Sequence, residues 1–504
     1  MCSSDLFYKY SINSLASLIE NFFTLLFTFV VTPILVSTLG VELFGLWKTA
    51  ERFIAFIKAA DGRPAQGLQF MISRNIDNNP HLIEGYIHNS YAVWIMFIPA
   101  VIILGFFLVW MFPLLTNTDY YFLFDIRVAL VIMVLTFIIY SFISIPIAVL
   151  TGVNLKYKKL PLFMFYLFIL LIFIIFSSKN QLGVIGIAAS YFFSMIVMSI
   201  MILITVQKNV VWSYSVRPKL LNFKRYMKLN GWYILWSFVN KLMLYSDVVI
   251  LGYILSATFV ASYSVSNFLP QSLMTIAMLI STNIAPGLGK IIGDRKYNKA
   301  LRLRNEMFAY ILYFSTLIGS IVLIFNQSFV ELWVNEVVYV GNLTVFLLVI
   351  LSIQTIAMRS DAVIIDTTLD IKEKTFSGFL SFGLALFLSF YLVPEYEVAG
   401  LCIAFLISRA LLSVYFIKII YKKFNIKYKT FEYKKILISF LFLVASYGLS
   451  TYVLVTSWVQ LFLMSFFVFI ALAIFYYFTL LDICYREKIL LRLNGLVKNQ
   501  RGVS

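Results

Sequence analysis

Long apolar stretches, separated by short polar segments, occupy most of this chain. The pattern predicts about fourteen membrane-spanning helices, because a helix crosses the hydrocarbon core of a bilayer with about 20 residues. We number them as predicted spans 1 to 14. Their bounds are 14–36, 43–63, 88–112, 127–150, 159–177, 182–206, 231–255, 258–284, 306–326, 341–366, 375–393, 397–418, 435–455 and 457–480. The predicted fold class is an all-α polytopic membrane protein.

Polar residues form ordered stripes on predicted spans 1, 2 and 7. The stripe on span 1 consists of Asn13, Ser17, Glu20, Asn21, Thr24 and Thr28. The stripe on span 2 consists of Lys48, Glu51, Arg52 and Lys58, and that on span 7 of Asn230, Ser237, Lys241 and Tyr245. At 100° per residue, each stripe covers a face of about 120° or less. Lipid cannot solvate such faces, so they predict a central polar cavity between two lobes.

Charged side chains lie inside the predicted spans, although each costs at least about 2.5–3.5 kcal/mol at mid-membrane on insertion scales. The cations are Lys48, Arg52, Lys58, Lys241, Arg359 and Arg409, and the acids are Glu20, Glu51, Asp61, Asp247, Asp361 and Asp366. Two interpretations stay open. The charges line a cavity, or they brace helices as ion pairs. Lys48 and Arg52 flank Glu51, and Arg359 lies about two turns before Asp366 on one face.

The cavity interpretation assigns roles to two groups of these residues. The predicted substrate-binding cations are Lys48, Arg52, Lys58, Lys241 and Arg359. The predicted cavity acids and polar residues are Glu20, Asn21, Glu51, Asp61, Asp247 and Asp366. Glu20 and Asp247 are each a lone acid in their span, and they are candidates for binding a coupling proton or sodium ion.

Basic residues predict the orientation of the chain, because cytoplasmic loops are enriched in Lys and Arg. Dense basic blocks fall in alternate loops, as in the segments 156–159, 217–228, 290–304 and 422–429. The opposite loops carry only Arg127 and Lys179 among basic residues, together with several acids. Both termini are therefore predicted to face the cytoplasm, and the loop cations require no nucleic-acid partner.

Composition excludes several classes of protein. The chain is 62% hydrophobic and only 12% charged, whereas soluble domains contain about 25% charged residues. Three scattered cysteines predict neither a disulfide framework nor a zinc site. His81 and His88 are predicted to lie near a cytoplasmic loop without a metal. No nucleotide-binding or hydrolase motif occurs in the sequence, so no catalytic residue and no enzyme activity are predicted.

The two halves of the chain resemble each other at an offset of about 215. LGVIGIAASYFFS begins at Leu182 and YEVAGLCIAFLIS at Tyr396, which aligns Gly186 with Gly400. LGVELFGLW at Leu39 aligns with LSATFVASY at Leu255. Six spans separate equivalent helices, so the repeat is predicted to be parallel, with its axis along the membrane normal.

These patterns divide the chain into five predicted segments. They are an N-terminal lobe at 1–206, a basic cytoplasmic linker at 207–230, a C-terminal lobe at 231–418, two extra helices at 419–482, and a basic cytoplasmic tail at 483–504.

Several motifs, in order, resemble polysaccharide-exporting flippases of the Wzx type, in the multidrug/oligosaccharidyl-lipid/polysaccharide exporter superfamily. They are TPILVSTLGVELFGLWKT at Thr32, Asp61-Gly62, YSDVVILGYILSATFVASYSVSN at Tyr245, APGLGKIIGDRKYNKA at Ala285 and VELWVNE at Val330. The resemblance covers residues 10 to 425. It departs from the common Asp-Gly-Leu-Gly pattern at Arg63-Pro64.

The resemblance implies two six-helix lobes and a substrate consisting of an oligosaccharide, such as an O-antigen unit, on undecaprenyl pyrophosphate. It implies transport to the periplasmic leaflet of a bacterial inner membrane, with a polysaccharide polymerase and a chain-length regulator as partners. Three alternatives stay open: a peptidoglycan-precursor flippase, a cation-coupled drug exporter of the same superfamily, and a membrane-embedded glycosyltransferase or polymerase.

Overall fold

The computed structural model describes residues 3–58, 61–62, 64–75, 81–116, 118–210, 223–335, 337–368, 371–425 and 433–479. These residues form fourteen α-helices, two short 3-10 turns and no β-strand. The helices are α1 (Ser3–Ile57), α2 (Pro64–Asn75), α3 (His81–Thr116), α4 (Leu123–Gly152), α5 (Lys159–Lys179), α6 (Gly183–Asn209), α7 (Phe223–Ile254), α8 (Ala257–Ser266), α9 (Phe268–Gly293), α10 (Tyr297–Trp333), α11 (Asn342–Thr367), α12 (Lys372–Phe424), α13 (Tyr433–Ser450) and α14 (Trp458–Thr479). The predicted all-α class is confirmed.

Ten helices of the described residues are long and apolar enough to cross a membrane. Twelve predicted spans lie on them, because α1 and α12 each hold two. The surface of these helices is rich in exposed apolar side chains, and Leu461 and Tyr476 are the buried residues of α14. Such a surface requires hydrocarbon around it. The chain is a multi-span membrane protein.

Two of the helices contain a break in their backbone. Gly40 in α1 has φ 74° and ψ 168°, and Glu397 in α12 has φ 49° and ψ −129°. Gly40 separates predicted span 1 from span 2, and Glu397 lies at the start of span 12. The second span is shorter than predicted, because its helix ends at Ile57.

A helix occurs where the hydropathy pattern predicted a loop. Pro64 begins α2 at a position where a missing N–H group is tolerated. Leu68 and Ile72, one helical turn apart, pack into a buried cluster with Ile143. α3 begins at His81, so His88 is a buried helical residue, with Nδ1 2.6 Å from the Glu84 carbonyl oxygen, and not a loop residue.

Predicted span 8 is not one helix. The chain breaks at Asn267, between α8 and α9. Pro270 lies in the first turn of α9, where its missing N–H group has no helical acceptor to lose. Asn267 Nδ2 donates a hydrogen bond to the Tyr263 hydroxyl at 3.1 Å, which fixes the local turn.

The chain forms two compact units, residues 1–261 and 262–504. In the first unit, α4 packs on α2, α3 and α6, while α1 packs on α5 and α7. In the second unit, α11 packs on α9, α10 and α12, while α13 and α14 pack on α10. Residues 211–222 of the predicted linker and the predicted tail lie outside the described residues.

Backbone geometry also recurs in the second half of the chain, at the offset of 214 residues seen in the sequence. Gly183 and Glu397 occupy equivalent positions, and both have positive φ, at 58° and 49°. Three residues later, Gly186 and Gly400 each leave no room for a Cβ. The Leu182 side chain fills that space at Gly186, and the Leu392 backbone fills it at Gly400. The two copies of the predicted repeat therefore share backbone geometry as well as sequence. In each copy, a residue with positive φ is followed by a glycine at a close approach.

Candidate functional site

Glu51 is fixed by two neighbours on its own helix. Lys48 Nζ lies 2.9 Å from Glu51 Oε2, and Trp47 Nε1 donates a hydrogen bond to Oε1 at 3.0 Å. Trp47 is buried, whereas the Glu51 side chain is 34% exposed. The spacing of three and four residues places these groups on one side of α1. Of the two cations predicted to flank Glu51, it is Lys48 that forms the ion pair.

Arg52 and Lys241 meet at one aromatic ring, that of Tyr245. The Arg52 Cζ atom lies 5.0 Å from the ring centroid, and Lys241 Nζ lies 4.8 Å from it. Lys241 and Tyr245 are one turn apart on α7, as the polar stripe predicted. Contact between α1 and α7 brings Arg52 to the same ring. All three side chains are half-buried.

Lys58 extends this cationic group. Its Nζ atom lies 5.5 Å from the Tyr140 ring centroid and 6.0 Å from that of Phe137. It also interacts electrostatically with Lys241, Glu51 and Asp61. The Lys58 side chain is exposed, one residue after α1 ends.

Arg52, Lys58 and Lys241 form what we call the cationic face. Within the described part of the chain, none of the three forms an ion pair with a carboxylate. Aromatic rings stabilise their charges through the ring quadrupole and leave their N–H groups able to bind an anion. A guanidinium can contact phosphate oxygens with two parallel hydrogen bonds, and an ammonium adds a mobile point charge.

Glu20, the lone acid of predicted span 1, pairs with a cation of another helix. Lys159 Nζ, from the start of α5, lies 2.5 Å from Glu20 Oε1. Lys156 Nζ donates a hydrogen bond to Ser17 Oγ at 2.8 Å, and the Tyr157 N–H donates one to Asn13 Oδ1 at 2.9 Å. The first part of the polar stripe on α1 thus packs against the segment that precedes and begins α5. That segment was predicted to be a cytoplasmic loop.

Asn21, Asp61 and Asp247 have local roles in the structure. Asn21 Nδ2 donates a hydrogen bond to the Ser17 carbonyl oxygen at 2.9 Å. Asp61 lines a small depression together with apolar side chains that include Trp94 and Phe97. The Asp247 carboxylate accepts a hydrogen bond from the Val248 N–H at 2.9 Å.

Two ion pairs of the second unit contain a buried cation. Arg304 binds Asp361 with two hydrogen bonds, at 2.6 Å from Nε and 2.7 Å from Nη2, and both side chains are less than 10% exposed. Lys374 is fully buried and pairs with Asp366. Arg304 was predicted to be a loop residue. Asp366, which one interpretation places on the same face of α11 as Arg359, pairs with Lys374 from α12.

Aromatic residues contribute to the site in ways that the charge pattern did not reveal. Tyr245 was placed on the polar stripe of span 7, but its role as the shared partner of two cations required the contact of α1 with α7. Among the described residues, no group of three or more His, Cys, Asp or Glu side chains could hold a metal ion.

Comparison with known proteins places these features in a family. The sequence profile described as "Polysaccharide biosynthesis protein" matches residues 12–292, which is more than half of the chain. No curated protein sequence matches the chain.

Solved structures share its fold. A structure of the lipid II flippase MurJ in an inward closed conformation matches with a TM-score of 0.71 at 13% identity, over 95% of this chain and 99% of that one. A structure of the MATE multidrug transporter DinF-BH matches with 0.63 at 16% identity, over 82% and 95%. The Vibrio cholerae MATE transporter VcmN in its bent form matches with 0.57 at 17% identity, over 84% and 96%.

Proposed function

The chain belongs to the polysaccharide biosynthesis protein family, and we propose that it is a flippase for an oligosaccharide linked to undecaprenyl pyrophosphate. It moves this lipid from the cytoplasmic to the periplasmic leaflet of a bacterial inner membrane, without a catalytic step. The observation that carries the proposal is the family match together with a membrane fold shared with a lipid II flippase. The family description gives the polysaccharide context, and the shared fold with a flippase favours transport over synthesis.

The cationic face supports a pyrophosphate-bearing substrate. A pyrophosphate carries two or more negative charges, and leaving them bare in hydrocarbon would cost many kcal/mol. Arg52 provides the forked donor, and Lys58 and Lys241 provide point charges beside it. Lys48 is already neutralised by Glu51, so it contributes less net charge than its position predicted. Arg359, the fifth predicted substrate-binding cation, lies in the second unit, on α11.

Alternating access is the mechanism that this fold supports. An inward-facing and an outward-facing structure of multidrug resistance MATE family transporters of the MOP superfamily both match the chain, with TM-scores of 0.58 and 0.63. A fold that exists in both states can expose one binding face to each side of the membrane in turn.

Coupling to a proton or sodium gradient is part of the proposal, with Glu20 and Asp247 as the candidate acids. Lys159 pairs with Glu20, so proton or cation binding at Glu20 would compete with that ion pair. Glu20→Gln and Asp247→Asn are both expected to reduce export. Normal export by both variants under every ion gradient tested would exclude these two residues as coupling sites.

The proposal includes assembly with a polysaccharide polymerase and a chain-length regulator. It also includes an orientation in which both termini face the cytoplasm. Reporter fusions after residues 228 and 429 are expected to be cytoplasmic, and a fusion near Asp119 is expected to be periplasmic. A periplasmic signal at 228 or 429 would contradict the orientation.

A second candidate, a lipid II flippase, is favoured by the MurJ match, which covers 99% of that chain. One experiment separates the two. Deletion of the gene is expected to abolish surface polysaccharide and to cause lipid-linked repeat units to accumulate inside the cell, while cell-wall synthesis continues. Loss of cell-wall synthesis would instead support the lipid II flippase. Unchanged surface polysaccharide and unchanged cell-wall synthesis would contradict both.

A further inference from the structure

The second half of α1 packs on the end of α7 along one line of contacts, which we call the seam. Gly45, Thr49 and Arg52 are spaced four and three residues apart, so they lie on one face of α1. Each contacts one position on α7 or at the start of α8. In the same order, these positions are Ala257, Gly252 and Tyr245. The two helices therefore run antiparallel, and the cationic face lies at one end of the seam.

Backbone meets backbone at the other end of the seam. A Cβ at Gly45 would overlap the Ala257 carbonyl group, so only glycine fits there. A Cβ at Gly252 would make ordinary contact with Thr49, at 3.5 Å from Oγ1. Thr49 is buried, and its hydroxyl donates a hydrogen bond to the Gly45 carbonyl oxygen at 3.0 Å. Ala257 also packs into a buried apolar cluster with Phe112 of α3. This end of the seam is therefore closed.

The closed end lies on the predicted periplasmic side. Gly45 follows the break at Gly40, between predicted spans 1 and 2, and Ala257 lies between predicted spans 7 and 8. Both connections belong to the set predicted to face the periplasm, because basic residues concentrate in the alternate loops. α1 is part of the predicted N-terminal lobe, and α7 is part of the predicted C-terminal lobe. The seam therefore joins these two helices at the end through which an exported substrate would leave.

The contacts of the cationic face depend on this packing. Arg52 comes from α1, whereas Lys241 and Tyr245 come from α7. Arg52 reaches the Tyr245 ring only while the two helices are packed together. Two cations at one ring repel each other, and an anion bound between them removes that repulsion. Closure of the seam and binding of an anion therefore favour each other.

We propose that the seam is a conformational device that assembles the pyrophosphate site when it closes and takes the site apart when it opens. The closed seam holds Arg52 beside Lys241, so both cations can bind one headgroup. Opening towards the periplasm moves α7 away from α1, so the headgroup loses partners as it gains an exit. The inference rests on the proposed function, because it takes the pyrophosphate to be the ligand of the cationic face.

The rate of disulfide formation across the seam tests this coupling. Cysteines at positions 49 and 252 fall within reach of a disulfide when the seam is closed, because Thr49 Oγ1 lies 3.5 Å from the position of a Cβ at Gly252. The full chain carries Thr49→Cys and Gly252→Cys, with its three native cysteines replaced by alanine. In lipid nanodiscs with a mild oxidant, undecaprenyl pyrophosphate is expected to raise the rate at least about threefold. Undecaprenol, which lacks the pyrophosphate, is expected to cause no rise, and Arg52→Gln is expected to abolish it.

A second variant tests the coupling through binding. Gly45→Ala places a methyl group against the Ala257 carbonyl and forces the seam apart. It is expected to weaken binding of undecaprenyl pyrophosphate in nanodiscs at least about fivefold. The matched control is Gly85→Ala on α3, where a Cβ would meet no atom within 4 Å. This control is expected to bind the lipid as the wild type does.

Binding of undecaprenyl pyrophosphate by the wild type separates the two failures. If the wild type binds this lipid and the lipid leaves the disulfide rate unchanged, the coupling is overturned and the proposed function stands. Unchanged binding by Gly45→Ala would overturn the coupling in the same way. If that variant does not fold, the disulfide rate decides alone, because it is measured with Gly45 in place. If the wild type does not bind the lipid, the proposed function fails, and the coupling fails with it.

Discussion

In the unit of residues 262–504, Arg304 and Lys374 are buried against the carboxylates of Asp361 and Asp366. In the unit of residues 1–261, Arg52, Lys58 and Lys241 contact the faces of Tyr245 and Tyr140. A carboxylate partner cancels a charge, whereas an aromatic partner stabilises it and leaves it available. The two units thus differ in the partners of these particular cations, although the second unit also holds Arg409, which lies 4.9 Å from the Phe405 ring centroid.

The internal repeat allows the charged positions of α1 to be compared with their equivalents in the second copy. At an offset of 216, Lys48, Glu51 and Arg52 correspond to Ser264, Asn267 and Phe268, so the charged segment of the first copy is uncharged in the second. The charged segment of α1 therefore occurs in one copy only, although Lys241 of the cationic face lies on α7, the first helix of the second copy. A requirement of the fold would affect both copies. The charged segment of α1 is therefore not required by the repeated fold.

Breaking the buried pair of the second unit should have the largest effect on stability. Asp361→Asn leaves Arg304 charged and nearly buried without its partner, and we expect the free energy of unfolding to fall by about 3–5 kcal/mol. Thermal unfolding of the detergent-solubilised chain measures this. The double variant Arg304→Met/Asp361→Leu should recover most of the loss, because it removes both charges. A loss below about 1 kcal/mol in Asp361→Asn would contradict the role of this pair in packing.

Arg52→Gln should separate transport from stability in the first unit. The variant keeps hydrogen-bonding ability but removes the charge, so export is expected to fall at least about tenfold while the free energy of unfolding changes by less than about 1 kcal/mol. Arg52→Lys should restore export only in part, because an ammonium lacks the guanidinium fork. Export is measured as surface polysaccharide at matched amounts of membrane-inserted protein. Full export by Arg52→Gln would show that Arg52 is structural.

The Glu20–Lys159 pair provides an intermediate case. Its side chains are 23% and 16% exposed, between the extremes of a surface pair and a buried pair. A double-mutant cycle with Glu20→Gln and Lys159→Met is expected to give a coupling energy of about 1 kcal/mol in unfolding experiments. A coupling energy near zero would mean that the pair does not hold α1 to α5 and that Glu20 is free to act in coupling alone.

The exposed pair Lys422–Glu373 should have the smallest effect. The Lys422 side chain is 72% exposed, and the two charged groups are 2.8 Å apart. Lys422→Ser is expected to change the free energy of unfolding by less than about 0.5 kcal/mol, because water and salt screen the pair. A larger change would show that proximity of charges alone, and not burial, sets the stability difference between the pairs.

Hydropathy predicted most of the helices because membrane spans are long and uniformly apolar. It missed α2, which is short and amphipathic, although the four-residue spacing of Leu68 and Ile72 carried a signal for it. Partners one turn apart, such as Lys241 and Tyr245, could be predicted from helical periodicity. Ion pairs between residues that are far apart in the sequence could not be predicted in this way. Glu20 and Lys159 are 139 residues apart in sequence, and only tertiary packing brings them together.

Glu397 shows that the two copies of the repeat reach a positive φ at one position with different residues. Its counterpart Gly183 adopts a positive φ at little cost, whereas a residue with a side chain at φ 49° and ψ −129° costs of order 1–3 kcal/mol. The second copy has kept the turn without the glycine. The positive φ is therefore common to both copies although only one has glycine there, and in the second copy it precedes the tight approach at Gly400. Glycine in place of Glu397 would accordingly be expected to keep the turn and to remove this backbone strain.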